Sequence, residues 1–183
     1  MTRSQRSRGF SLIEVLVSLI IIAVGLLGIA KIQALAYSST GTASLRSLAA
    51  IEASSLASAM RANRSYWTAP LTPLLINVTG ANVAPSDATL LGVNNCNAAN
   101  GGASCGPNAL AGYDLQTWAT ALNASLPAAT ALIGCPTPIP ATNPVGCTIQ
   151  ISWVERSTGI NAQSVASVAT TMAAPTYILY VEP

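Results

Sequence analysis

The chain has 183 residues, enough for one compact domain with an extended N-terminal element and too few for two full domains. Charged residues make up only 8%, where about 25% is usual for a soluble chain, and the formal net charge is +2. Arg3, Arg6 and Arg8 precede every acid; without them five basic residues face six acidic ones, so no basic patch is expected to neutralise phosphates and no nucleic-acid partner is expected. Histidine is absent and Lys31 is the one lysine. So thin a set of acids and bases points to no catalytic residue, no metal and no cofactor.

Residues 10–30 read FSLIEVLVSLIIIAVGLLGIA, an apolar run with one charge, Glu14. A helix of this length spans about 30 Å, the thickness of a bilayer's hydrocarbon core. Arginines before the run and Lys31 after it place the N-terminus in the cytoplasm and the remainder across the membrane. A secretory signal peptide would have a shorter apolar core and a small-residue cleavage site beyond it. Here the sequence instead continues without proline through residues 31–64. Glu14 is the anomaly, since a carboxylate inside a membrane helix costs roughly 2.5–3.5 kcal/mol and marks function by default. Gly25 and Gly28 also interrupt the run, each costing about 1 kcal/mol against alanine. Local melting and close helix packing both account for them.

Arg8-Gly9-Phe10-Ser11-Leu12-Ile13-Glu14-Val15-Leu16 resembles the class III signal of type IV pilins and type II secretion pseudopilins. The resemblance implies cleavage by a prepilin peptidase between Gly9 and Phe10, and N-methylation of Phe10. It also implies that Glu14 pairs with the terminal amine of a neighbouring subunit and sets axial register. Physically, such a cut removes the cytoplasmic arginines and keeps the anchor.

Beyond Lys31, Ile32, Leu35, Leu45, Leu48, Ile51, Leu56 and Met60 recur at mostly helical spacing, as expected of one helix face on a core. Gly41 is its weak point, and Asn63 with Pro70 beyond signals the end. Residues 81–109, small and polar with Gly101-Gly102 and Gly106-Pro107, read as loop. A second helix is expected over residues 114–127, capped by Asp114 and stopped by Pro127, with Leu115, Trp118, Leu122 and Leu126 on one face. Residues 147–154 and 176–182 read as neighbouring antiparallel strands, Ile149, Ile151 and Trp153 sharing a face, with residues 155–175 as an exposed connection.

Cys96, Cys105, Cys135 and Cys147 show no CxxC spacing and fit two disulfides in an oxidising compartment. Of three possible pairings, the local ones, Cys96–Cys105 and Cys135–Cys147, are expected. The Pro-rich stretch inside the second pair cannot pack as a central strand.

The expected fold is therefore α+β, a long protruding N-terminal helix packed on a small antiparallel sheet. Residues 1–9 are the leader, 10–30 the membrane span, 31–64 the amphipathic half of the helix and 65–183 the periplasmic or extracellular domain. The segments M-R-A-N-R (60–64), D-L-x-x-W…L…L-P (114–127) and the strand ending at Trp153 resemble the PilV family of minor pilins. That implies a non-enzymatic subunit of a type IV pilus, moving from the inner membrane to the pilus. Its implied partners are other minor pilins, the major pilin and the inner-membrane assembly machinery. A type II secretion pseudopilin is the alternative, since it shares the N-terminal motif.

Overall fold

A computed structural model describes residues 9, 11–68, 73–92, 95–97, 99, 101–102, 104–137, 144–155 and 174–183. Helix α1 spans Leu12–Ala62 and a short helix α2 spans Arg64–Trp67. Strands β1 (Leu74–Thr79) and β2 (Asn82–Pro85) form a hairpin, followed by a 3-10 turn at Ala88–Leu91. Helix α3 (Pro107–Ser125) leads into β3 (Thr130–Cys135), β4 (Cys147–Ser152) and β5 (Thr176–Val181). The chain divides into two compact units, Met1–Gly41 and Thr42–Pro183.

In the second unit, five strands make one antiparallel sheet in the order β2-β1-β3-β4-β5. Its inner face buries Ile76, Val78, Ile133, Ile149 and Ile151, alternate positions that the two-residue strand period turns the same way. The C-terminal turns of α1 and the apolar face of α3 complete this core. The structure thus has the expected α+β pilin-like fold, with β4 and β5 paired as antiparallel neighbours.

The buried face of α1 differs from the sequence expectation. Ala49, Ala53, Leu56, Ala57 and Met60 face the core, while Ile51 is 58% exposed, because a residue two positions on from Ala49 lies on the far side of a helix. Alanines there let the helix backbone come close to its neighbours. Ile32 and Leu35, read as part of the same core face, are exposed in the first unit. The end of α1 falls where expected. Asn63, the buried polar residue of the described core, donates from Nδ2 to the Pro107 carbonyl at 2.7 Å, tying this end to the start of α3.

Helix α3 begins at Pro107, not at Asp114. Gly106 occupies the N-cap position with extended backbone, and Pro107 sits at the first helical position, where its missing N–H is no loss. Asp114 therefore caps nothing. It lies inside the helix, and partial burial holds its carboxyl above the ordinary carboxylate range. Leu115, Trp118, Leu122 and Leu126 are buried, and the helix stops before Pro127.

Strands also form within residues 81–109, expected to be loop, and in two stretches given no element from the sequence, Leu74–Thr79 and Thr130–Cys135. The β1–β2 hairpin turns on Gly80, whose φ of 59° supplies the positive angle that a two-residue hairpin turn needs. Part of residues 81–109 is therefore strand, 3-10 turn and helix start, not loop. Strand β3 was missed as well, and it pairs with both β1 and β4 at the middle of the sheet. Disulfides join Cys96 to Cys105 and Cys135 to Cys147, the second linking the ends of β3 and β4. The Pro-rich stretch at 138–143, Pro70 and most of the 155–175 connection lie outside the described residues.

Candidate functional site

Every described residue from Ser11 to Ile29 is exposed. Leu12, Ile13, Leu19, Ile21, Val24, Leu26 and Leu27 are each more than 60% exposed. These positions run round the helix instead of forming a stripe. A helix apolar on all sides is one that other apolar matter must cover, and α1 is long and apolar enough to cross a membrane. Gly25 and Gly28 are both helical in the single chain, and neither has a neighbouring atom where a side chain would stand.

The start of α1 is well defined. Glu14 N and Val15 N donate to the Ser11 carbonyl at 3.0 and 3.3 Å. Glu14 lies in the first helical turn and is exposed. A carboxylate there complements the positive end of the helix dipole, an effect of about 0.3–1 kcal/mol at exposed sites. Ser11 and Glu14 also stand at the S-x-x-E spacing of a capping box, a local helix-start signal in the sequence. Ser18 donates its hydroxyl to the Val15 carbonyl at 2.8 Å, so this hydroxyl brings no unsatisfied donor into the apolar surface. Gly9 is exposed; Phe10, with residues 1–8, lies outside the described residues.

Residues 4–30 match the family model for the prokaryotic N-terminal methylation motif. This is a type IV pilin-like class III signal. The match takes in Gly9, Phe10 and Glu14, and it stops at the end of the apolar run. No curated protein and no solved structure matched the chain. The motif, the apolar helix and the α+β domain together support a type IV pilin- or pseudopilin-like structural subunit anchored in a membrane. Such a signal implies processing by prepilin peptidase and handling by pilus assembly machinery.

In the second unit, polar side chains serve mainly to join elements. Trp118 Nε1 donates to the Glu52 carbonyl at 2.8 Å, and Ser125 Oγ donates to Glu52 Oε1 at 2.9 Å, so α3 is held to α1 at two points. Glu155 Oε1 accepts from Trp153 Nε1 at 3.2 Å and from Arg46 Nε at 3.3 Å. Tyr66 Oη donates to Asp87 Oδ2 at 2.7 Å, and Asp87 Oδ1 accepts from Thr89 N and Thr89 Oγ1. These bonds, the Tyr66 one foremost, hold the Asp87 carboxyl below its ordinary range. Burial first, then Asp87, pushes the Tyr66 phenol up. Among the described residues, no three His, Cys, Asp or Glu side chains gather as a metal site.

Proposed function

We propose that the chain is a minor pilin of the PilV kind, a subunit that primes, joins or modifies a type IV pilus. One observation carries this reading: an all-round apolar helix with none of its membrane-length window buried begins within the methylation motif. An exposed apolar rod of this kind is stable in lipid or against other such rods, and not in water. Residues 1–9 are the leader, removed between Gly9 and Phe10, and Phe10 is then N-methylated. Residues 10–30 span the inner membrane with the N-terminus inside, residues 31–64 continue the helix, and 65–183 form the domain outside.

Glu14 pairs with the methylated amine of a neighbouring subunit as the helices pass from lipid into the filament. Each charge alone is costly in a low-dielectric core, so the pair favours one axial register. The segments at 60–64, 114–127 and 147–154 support the minor-pilin reading through their likeness to the PilV family. Mass spectrometry of the mature N-terminus tests it: N-methyl-Phe10 is expected, and an intact Met1 start overturns the processing. Deletion of the gene then separates the two pilin classes. Loss of surface pili supports a minor pilin, whereas loss of protein secretion with pili intact assigns the chain to the type II secretion pseudopilins.

A further inference from the structure

Strand register arranges the outer face of the sheet in rows. Thr79 lies opposite Thr130, Thr130 opposite Ser152, and Ser152 opposite Thr176, giving four hydroxyl residues in line across four strands. The next row is Asn77, Leu132, Gln150 and Ile178, and neither row contains a charge. Adjacent strands are spaced at about 4.8 Å, so polar groups repeat at that interval across the face.

A shallow depression of about 200 Å³ opens here, lined by Asn77, Thr79, Thr130, Leu132, Gln150 and Ser152 among others. Leu132, 37% exposed, forms its apolar floor. Carboxamides flank it on both sides, Asn77 from β1 and Gln150 from β4, and the hydroxyl row closes one end. Among the described residues nothing hydrogen-bonds the side chains of Asn77, Thr79, Thr130 or Gln150. Thr176 Oγ1 donates to the Ala174 carbonyl at 3.1 Å, so in its 3.0 Å contact with Ser152 the serine donates, leaving the Ser152 oxygen open to accept.

We propose that this face binds a neutral carbohydrate chain. A pyranose ring has an apolar C–H face and a rim of hydroxyls that both donate and accept. Leu132 matches the first, and the two carboxamides with the hydroxyl row match the second, because amides and hydroxyls also offer both donors and acceptors. The lack of charge on both rows selects against phosphorylated, sulfated or carboxylated polymers, which require cationic partners to offset their desolvation. The depression is smaller than the roughly 300–1,000 Å³ of an enclosed small-molecule pocket. It suits a single ring of a chain lying across an open face. This inference is independent of the filament reading.

The test uses the full chain, isotope-labelled, in a polyoxyethylene detergent with no sugar headgroup. It is titrated with maltohexaose, cellohexaose and chitohexaose, with a hexamer of galacturonate as the charged comparator. Saturable shifts of the Asn77, Leu132 and Gln150 signals with at least one neutral oligosaccharide are expected. Asn77→Ala and Gln150→Ala should each weaken that binding roughly tenfold, about the effect of one good hydrogen-bonded group, with the melting temperature unchanged. Ser47→Ala, on the exposed face of α1, should bind as the parent does. Absence of saturable binding to all three neutral chains overturns the proposal, as does equal binding of galacturonate or indifference to Gln150→Ala. Loss of self-association in the Asn77 and Gln150 variants, without sugar binding, would assign the face to a second copy of the chain.

Discussion

Replacing Gly112 with alanine sets helix propensity against packing, and the two predict opposite signs. Gly112 lies inside α3 and is buried. Propensity alone makes Gly112→Ala stabilising by about 1 kcal/mol. The structure places a Cβ at this position only 2.7 Å from the Leu90 carbonyl oxygen and 3.2 Å from its carbonyl carbon. Both are backbone atoms of the 3-10 turn, so no rotamer change relieves the clash, and the turn must move off α3. That movement also strains the bonds from Gln116 Nε2 to the Leu90 and Gly92 carbonyls, at 3.1 and 3.3 Å. Overpacking of this kind costs about 1–3 kcal/mol, and weakening one of the Gln116 bonds adds about 1 kcal/mol. Against the propensity gain, a net loss of about 1–3 kcal/mol is expected. For a domain of this size that lowers the melting temperature by roughly 2–12 °C. The measurement is thermal unfolding of the full chain in detergent, followed by near-ultraviolet circular dichroism, which reports tertiary packing. Gly41→Ala is the control: Gly41 is also helical, but it is exposed and an added Cβ there meets nothing, so that exchange should not destabilise. A Gly112→Ala protein as stable as the parent would refute the close approach of α3 to the turn.

Glu14→Ala should leave membrane insertion intact and reduce incorporation into pili, read by immunoblot of sheared surface fractions; normal incorporation would remove the register role. Replacing both Cys135 and Cys147 by alanine should destabilise the domain by about 2–4 kcal/mol through loss of loop closure, measured by denaturant unfolding. Asp87 and Asp114 should give opposite pH responses. The Asp87 carboxyl is held below its unfolded value by its hydrogen bonds, so its contribution is present above the ordinary carboxylate range and is lost as pH falls through the depressed value. Asp87→Asn should therefore destabilise at neutral pH, and the difference should shrink in acid. The Asp114 carboxyl is raised by burial, so its folded form is favoured in acid and loses stability as pH rises through the raised value. Asp114→Asn should stabilise at neutral pH, with the advantage vanishing in acid; stability curves that run parallel to the parent's would contradict both assignments.

Elements specified by their own neighbours in sequence were legible before the fold was known. The apolar run, the arginines before it and Glu14 form a local pattern, and residues 4–30 match a motif on the same terms. Strands β4 and β5 announce themselves through β-branched and aromatic alternation, and the end of α1 through Asn63. The hairpin of β1 and β2 was readable too: Ile76, Val78 and Thr79 lead to Gly80, a β-rich run with a glycine at its turn. The small polar residues that follow Gly80 mask the short second strand, which gains its strand character from pairing with β1.

Helix α3 shows how one residue type can carry two meanings. Asp before an apolar run is a cap signal, but Gly106-Pro107 seven positions earlier had already started the helix. Choosing between the two required knowing that Pro107 receives the Asn63 amide. Strand β3 lies further out of reach, since Thr130–Cys135 contains alanine and glycine and gains its strand character from pairing on both sides.

The N-terminal rod was determined by sequence alone, because a run of apolar side chains seeks lipid or a like surface whatever follows it in the chain. Tertiary structure decided which α1 residues are core, alanines at helical spacing in place of the larger Ile51. It also decided that Thr79, Asn77, Leu132, Gln150 and Ser152, scattered over three strands, share one face. The physical reason is range: partition between water and lipid acts on each side chain by itself, whereas burial on a shared face depends on partners that the chain brings together only by folding.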